Sequence, residues 1–190
     1  WYPGMPFIGS ETASALNSRG FYLHPSSELH VVPERWDLPY DTDHHQCSAY
    51  DNSRAPWATL HEEAWTVVRD RDYCAGTFVW TGFDYIGEPT PYSWPSRSSY
   101  FGIVDLCGFP KDCYYMYRSE WTDNPTLHLF PHWNWTEGEK IDLWCYYNTA
   151  DEVELFVNGV SMGRSRKTDK RLHAIWEGIT FTPGEITAVG

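Results

Sequence analysis

The chain has 190 residues, with 26 acidic residues against 14 Lys and Arg, a formal net charge of −12 and 42% hydrophobic residues. This charge argues against nucleic acid or an anionic membrane as a partner, because phosphate surfaces are bound by basic patches. No run of about 18 apolar residues is present, so no membrane span is predicted. Residues 1–4 also lack the basic and apolar regions of a signal peptide. Aromatic residues make up 17% of the chain, and their flat faces favour a neutral ligand such as a sugar.

The first part of the chain alternates between strand and helix patterns. Short, continuously apolar runs predict strands buried on both faces, and apolar residues on one face predict helices. The predicted strands are at 5–9 and 76–83, the helices at 59–72 and 111–121, and the long loops at 25–56 and 84–108. This order is the repeating unit of a β/α fold with a parallel sheet. Two units cannot close a barrel, so we expect this part to be the end of a larger domain.

Beyond residue 124 the pattern changes to short β-rich segments separated by turn residues. Asn158-Gly159 lies between two of them and is the strongest hairpin signal in the chain, because both turn positions need a positive φ. Regularly spaced strands of this kind predict a β-sandwich of the immunoglobulin-like type. The predicted strands are at 127–130, 141–148, 153–157, 160–163, 171–176 and 186–189.

The cysteines and histidines show no metal-binding spacing. The five Cys form no Cys-x-x-Cys pair, and we interpret them as ordinary reduced thiols. The adjacent His44 and His45 lie beside Asp41 and Asp43, a composition that suggests a metal site. Adjacent side chains in a loop usually diverge, so no metal site is predicted.

Glu11 is a lone carboxylate at the end of the first apolar run, "PFIGSETAS". In β/α folds the active site lies at the carboxyl ends of the strands, and Trp80 and Asp84 hold the matching place on the next strand. By position alone Glu11 is either a solvated acid that caps the following segment or a catalytic group.

Three stretches resemble the bacterial, Bacteroides-like β-galactosidases of glycoside hydrolase family 2. The run "GTFVWTGFDYIGEPTPYSWPSRSSYFGIVDLCGFPKDCYYMYRSEW" is similar to that family's last barrel strand, loop and helix. The run "PFIGSETASALNSRGFY" looks like the strand that carries its nucleophile, and "TLHLFPHWNW" with "VELFVNGVSMG" resembles the sandwich that follows its barrel. The resemblance implies the last two strand-helix units of a (β/α)8 TIM barrel at residues 1–124. It also implies an immunoglobulin-like β-sandwich at residues 125–190, which is either complete or truncated at its C-terminal end.

The resemblance implies that Glu11 is the nucleophile of a retaining glycosidase that releases terminal β-D-galactosyl residues. Such enzymes place two carboxyl groups about 5–5.5 Å apart, one attacking the anomeric carbon and the other serving as general acid and base. The attacking carboxylate has to stay ionised, so hydrogen-bond donors are expected around it. Candidate donors are Ser10, Thr12, Ser14 and Tyr85.

The remaining candidate residues would bind the sugar. Trp80 matches the family's strand-end tryptophan and is expected to form the floor of the pocket, with core packing as the alternative. Asp84 and Tyr85 are candidates for holding a sugar hydroxyl. Four residues of the following loop are candidate pocket-lining residues, each with a purely structural alternative: Glu88, Trp94, Phe101 and Asp105.

Two departures from the family's patterns bear on substrate and activity. Related β-glucuronidases carry an Asn-x-Lys pair that binds the sugar carboxylate, and Ser99 and Phe101 stand there in this chain. A neutral hexose is therefore favoured, although Arg97 lies nearby. The family's general acid/base is a Glu that follows Asn, and this chain contains no Asn-Glu dipeptide. We therefore expect the isolated chain to be inactive, with the remaining N-terminal part of the enzyme as its partner.

Two alternatives stay open: another family 2 specificity, such as β-glucuronidase or β-mannosidase, and a non-catalytic carbohydrate-binding or assembly module. In the second, His132-Trp133-Asn134-Trp135 would supply the glycan surface, with packing at the domain junction as the alternative for these residues. No organic cofactor is implied, and a Na⁺ or Mg²⁺ ion enters only by family analogy, without assigned ligands. The same analogy implies a periplasmic or cell-surface location and is compatible with a homo-oligomer.

Overall fold

The computed structural model describes residues 4–32 and 47–190. They divide into two compact units, each built from separate segments of the chain. Unit 1 contains residues 4–21, 29–32 and 47–113, and unit 2 contains Tyr22–Glu28 and Tyr114–Gly190. Within these described residues, no helix has both the length and the apolar character needed to cross a membrane.

Unit 1 is organised around two parallel strands. Its elements are β1 (Phe7–Ala13), β2 (His30–Val31), β3 (Ser53–Arg54), α1 (His61–Arg69) and β4 (Cys74–Trp80), and α2 (Asp112–Trp121) begins at its end. β1 pairs with β4, with Gly9 opposite Thr77 and Ala13 opposite Trp80. The register shifts between Gly9 and Thr12, so β1 carries an irregularity at Ser10 and Glu11. The parallel direction agrees with the predicted strand-helix alternation.

The expected burial of these strands is wrong for the described residues. Phe7 and Ile8 of β1 and Phe78 of β4 are each more than half exposed. The reason is that β1 and β4 form a two-stranded sheet in the part of the chain that the structure describes. β1 also begins and ends later than predicted, so that Glu11 lies inside the strand. The predicted loop 25–56 contains β2 and β3, which pair in parallel.

The first turn of α1 is capped by a buried carboxylate from outside the helix. Asp51 Oδ1 accepts the backbone N–H of His61 at 3.0 Å, and Oδ2 accepts that of Glu62 at 2.8 Å. The first N–H groups of a helix have no partner within the helix, so this contact fixes where α1 begins. Burial raises the pKa of Asp51 to about 7, and the negative charge of Glu62 acts in the same direction.

Unit 2 contains six strands in two antiparallel sheets. The strands are β5 (Leu127–Phe130), β6 (Lys140–Tyr147), β7 (Val153–Val157), β8 (Val160–Ser165), β9 (Ala174–Thr180) and β10 (Ile186–Val189). One sheet has the order β5-β6-β9 and the other β10-β7-β8. Asn158 and Gly159 join β7 to β8 with φ values of 50° and 78°, as the hairpin signal predicted. β9 is the main boundary error, since it begins at Ala174 rather than at residue 171.

The core of unit 2 lies between its two sheets. Alternate residues of β6, including Leu143, pack with Leu155 of β7 and Trp176 of β9, all of them buried. The side-chain period of two along each strand places these residues on one face. The α2 residues of this unit pack on β5, since the Tyr115 ring stacks on His128 with centroids 3.7 Å apart.

The short segment Tyr22–Glu28 is part of unit 2 although it is remote in sequence. The backbone N–H and the hydroxyl of Ser26 donate to Asp142 Oδ2 at 2.7 and 2.9 Å. Gly178 N–H donates to Asp142 Oδ1 at 2.8 Å, and the Trp144 indole N–H donates to the Ser26 hydroxyl at 3.0 Å. The buried Asp142 carboxylate is thus satisfied by the segment and by the sheet together.

Candidate active site

The carboxyl ends of β1 and β4 bring two predicted site residues to the same edge of the sheet. Ala13 pairs with Trp80, and Glu11 precedes Ala13 by two residues on β1. Trp80 is 39% exposed, and the peptide bond that follows it, to Thr81, is cis. The chain leaves β1 through Ala13 and Ser14, both with positive φ, which turns it away from the sheet directly after the candidate nucleophile.

Four side chains form what we call the strand-end group: Glu11, Trp80, Tyr85 and Glu88. The Trp80 and Tyr85 rings meet edge to face, with centroids 6.0 Å apart. The Tyr85 hydroxyl donates to Glu88 Oε2 at 3.0 Å. Burial raises the pKa of Tyr85, and the negative charges of Glu88 and Glu11 act in the same direction. The group thus combines an aromatic surface with two carboxylates within electrostatic range of one phenol.

Two of the four predicted hydrogen-bond donors to Glu11 are engaged elsewhere. The Thr12 hydroxyl lies 2.6 Å from the Thr77 hydroxyl and 3.3 Å from the carbonyl oxygen of Phe78, and the Tyr85 proton goes to Glu88. Glu11 itself is exposed. It also borders a groove of about 480 Å³ between β1 and α1, whose other walls include Trp57 and Ala64. Exposure of this kind leaves the carboxylate accessible to a ligand.

The Asp84 carboxylate is mostly buried and is bound by Lys111 and Gly102. Lys111 Nζ lies 2.9 Å from its Oδ1 and 2.8 Å from its Oδ2, and Gly102 N–H donates to Oδ1 at 2.8 Å. Burial raises the pKa of Asp84, while the Lys111 ammonium and the Gly102 N–H act against that rise. Both carboxylate oxygens thus already have partners within unit 1.

Lys111 is the centre of a buried polar network that sequence reasoning missed. Its side chain is 1% exposed, and Nζ also donates to the carbonyl oxygens of Asn17 at 2.6 Å and Tyr100 at 3.4 Å. The Asn17 amide nitrogen lies 2.8 Å from Nε2 of the buried His61. Burial lowers the pKa of His61 to about 3, and the nearby Lys111 charge acts in the same direction. The partners are far apart in sequence, since Lys111 and Asn17 are separated by 94 positions, so no local sequence pattern indicates this network.

The other predicted pocket residues are spread over the loop that follows β4. Phe101 is buried in the core of unit 1 with Leu16 and Tyr92. Trp94 is largely exposed, and the Arg97 guanidinium lies 4.8 Å from its ring centroid. The Phe101 side chain therefore packs in the core, while its backbone carbonyl accepts the N–H of Thr81, the residue after Trp80, at 3.1 Å.

Asp105 belongs to a separate turn. Its carboxylate accepts Arg19 Nε–H at 2.6 Å and the backbone N–H groups of Cys107 and Phe109, both at 2.9 Å. Burial acts to raise the pKa of Asp105, but these donors outweigh it and the pKa is lowered. The carboxylate thus closes a turn of the loop.

The structure shows no metal-binding cluster within the described ranges 4–32 and 47–190, where no three His, Cys, Asp or Glu side chains converge. The pair His44 and His45 with Asp41 and Asp43 lies outside the described residues. All five Cys are free thiols, as interpreted from the sequence.

Comparison with known proteins agrees with the resemblance seen in the sequence. A family model described as a domain of unknown function, DUF4982, matches residues 138–190. The β-galactosidase BoGH2A of Bacteroides ovatus is 57% identical over 99% of this chain and 22% of its own length. A putative β-glucuronidase of Formosa agariphila is 34% identical over 97% of this chain and 20% of its own length.

A solved structure shares the whole fold of the chain. The crystal structure of a β-glycosidase from Bacteroides vulgatus matches with a TM-score of 0.82 and 32% identity, covering 100% of this chain and 26% of that one. The chain therefore spans about a fifth to a quarter of the length of these relatives. The resemblance to this group of enzymes is confirmed.

Proposed function

We propose, from the premise that this chain belongs to glycoside hydrolase family 2, that it forms the C-terminal part of a retaining β-galactosidase. In this proposal residues 1–124 are the last two strand-helix units of a TIM barrel, and residues 125–190 are an immunoglobulin-like sandwich. The parallel pairing of β1 with β4 supports the first assignment, and the two antiparallel sheets support the second.

The observation that carries the proposal is that Glu11 and Trp80 lie toward the same end of the parallel pair, where Ala13 is opposite Trp80. The active sites of β/α barrels lie at the carboxyl ends of the strands. An indole face at that end suits the apolar face of galactose, and a carboxylate beside it suits attack on the anomeric carbon. The exposed position of Glu11 leaves it open to a sugar.

The proposed reaction runs in two displacements. Glu11 bonds to the anomeric carbon as the leaving oxygen takes a proton from a general acid, and water then hydrolyses the glycosyl-enzyme. The acid/base residue is expected from the remaining part of the enzyme. In this proposal Glu88, which is hydrogen-bonded to Tyr85, accepts a hydrogen bond from a sugar hydroxyl.

Two experiments on the complete enzyme test Glu11. A 2-fluoro galactosyl inhibitor should label the peptide that contains Glu11. In the Glu11→Ala variant, added azide should attack from the vacated side and release α-galactosyl azide, the product of opposite configuration to the β-linked substrate. The Glu11→Gln variant should lose turnover by on the order of 10³-fold or more.

Glu63 provides a matched control, because it is a second carboxylate of the same groove. It accepts a hydrogen bond from Thr59 at 2.7 Å at the start of α1. The Glu63→Gln variant should keep turnover within about threefold of the wild type, since surface substitutions usually have small effects. A label on another residue, or unchanged turnover in Glu11→Gln, would refute the assignment.

A β-glucuronidase is the second candidate, because one relative at 34% identity carries that name. The site where an acidic sugar would need a cation holds Ser99 and Phe101, both buried. Arg97 is tied to the Trp94 ring. A panel of nitrophenyl β-galactoside, β-glucuronide and β-mannoside should show a preference for the galactoside. Preference for the glucuronide would favour the second candidate and leave the role of Glu11 intact.

A further inference from the structure

We propose that Lys111 is a positioning residue that fixes the segment after β1 against the segment after β4, and so sets Glu11 relative to Trp80 and Tyr85. The proposal rests on the function proposed above for the strand-end group. Lys111 makes no contact with that group itself. It acts through the two chain segments that leave the strands.

The chain segment that follows β1 is fixed through the backbone of Asn17. Asn17 follows Glu11 by six residues, and both of its backbone groups are bound. Its N–H donates to the carbonyl oxygen of Tyr100 at 2.9 Å, and its carbonyl oxygen accepts Lys111 Nζ–H at 2.6 Å. The exit from β1 is therefore held on the loop that contains Tyr100.

The chain segment that follows β4 is fixed through the carboxylate of Asp84. Asp84 follows Trp80 by four residues, and its carboxylate takes Lys111 at 2.8 Å and Gly102 N–H at 2.8 Å. Backbone bonds run alongside: Thr81 N–H donates to the carbonyl oxygen of Phe101 at 3.1 Å, and Asp84 N–H to that of Val104 at 2.9 Å. The loop residues 100–104 thus form hydrogen bonds with both the segment that follows β1 and the segment that follows β4.

Lys111 spans all three segments with one ammonium group. Nζ reaches the Asn17 carbonyl, the Asp84 carboxylate and the Tyr100 carbonyl. An ammonium has three donors and no acceptor, which matches this set of three acceptor groups. Removal of the Lys111 ammonium would leave the buried Asp84 carboxylate and the Asn17 carbonyl without this donor. The chain segments that follow β1 and β4 would then lose their common attachment.

The test uses the Lys111→Met and Lys111→Ala variants of the complete enzyme. The expected result is a kcat reduced by about 100-fold with KM changed by less than about threefold, because misplacing reacting groups by about 1 Å has an effect of this size. Ethylammonium should restore part of the kcat of Lys111→Ala and should not restore that of Lys111→Met. The control is Val160→Ala in unit 2, which removes an exposed side chain far along the chain and should leave kcat unchanged.

Amide hydrogen exchange gives a readout that does not depend on turnover. Loss of Lys111 should accelerate exchange in both residues 12–18 and residues 80–86, by at least about tenfold. Exchange that rises in only one of these segments, or a kcat within twofold of wild type, would overturn the positioning role. If the wild-type enzyme hydrolyses none of the glycosides, the proposed function fails, and the exchange data alone decide whether Lys111 joins the two exits.

Discussion

Replacement of Gly102 by Ala should disturb the candidate site from a position outside the strand-end group. A methyl group built on Gly102 would lie 2.7 Å from the carbonyl oxygen of Val104, and closer still to the backbone of Phe83 and Asp84. Ordinary contacts begin at 3.4 Å, so the Val104 oxygen alone would have to retreat by about 0.7 Å. These are backbone atoms, which cannot rotate away as a side chain would.

The expected magnitude follows from two contributions. Overpacking of a close-packed site costs about 1–3 kcal/mol. Weakening of the Gly102 N–H bond to Asp84 Oδ1, now 2.8 Å, costs about 1.5–3 kcal/mol because the acceptor is charged. We therefore expect a local destabilisation of at least about 2 kcal/mol, which is about a 30-fold increase in amide exchange. A shift of the strand exit by nearly 1 Å should also lower kcat by about 100-fold.

Gly82 offers a matched control on the facing segment. Its carbonyl oxygen accepts Val104 N–H at 3.1 Å, but a methyl group built there meets nothing within 4 Å and its φ is not positive. The Gly82→Ala variant should stay within about 0.5 kcal/mol of wild type. Amide exchange over residues 80–86 and galactoside hydrolysis by the complete enzyme measure both variants. Equal behaviour of Gly102→Ala and Gly82→Ala would refute the close-approach argument.

Three further predictions concern stability and reactivity. Because the folded-state pKa of Asp51 is raised from 3.8 to about 7, its ionised form is disfavoured; α1 should be most stable below about pH 4 and loosen as the pH rises through about 7. Amide hydrogen exchange in α1, corrected for the pH dependence of the intrinsic exchange rates, measures this effect. The same pH dependence in the Asp51→Asn variant as in the wild type would contradict the assignment to Asp51. Iodoacetamide should modify the exposed Cys107 before Cys145, whose pKa burial raises to about 12; mass spectrometry of native protein gives the order, and early labelling of Cys145 would disprove it. Leu155→Ala should cost about 2–5 kcal/mol against less than about 0.5 for the exposed Val160→Ala, measured by thermal unfolding, and equal losses would contradict the burial.

The second half of the chain was the easier half to predict because its signals are local. Three predicted strands, β5, β7 and β10, have the bounds found in the structure, since each is a short apolar run between turn residues. The hairpin at Asn158 depends on two adjacent residues that accept a positive φ. These strand and turn signals depend on a few neighbouring residues, so they can be predicted without knowledge of the fold.

The first half depends on contacts between distant residues. Lys111 and Asn17 are 94 positions apart, and nothing in either local pattern indicates that they meet. The register of β1 and β4 was equally hidden, because a parallel pair has no turn to set it. Glu11 was identified through the family resemblance, and its role stays a prediction.

The inclusion of Tyr22–Glu28 in unit 2 has a practical consequence for dissecting this protein. Unit 2 is discontinuous in sequence, because residues of unit 1 lie between its two segments. Excision at residue 125, or at residue 138 where the family match begins, would discard Ser26 and with it two hydrogen bonds to the Asp142 carboxylate. An isolated unit 2 would therefore have to include the seven residues Tyr22–Glu28, either fused to the rest of the unit or added as a separate peptide.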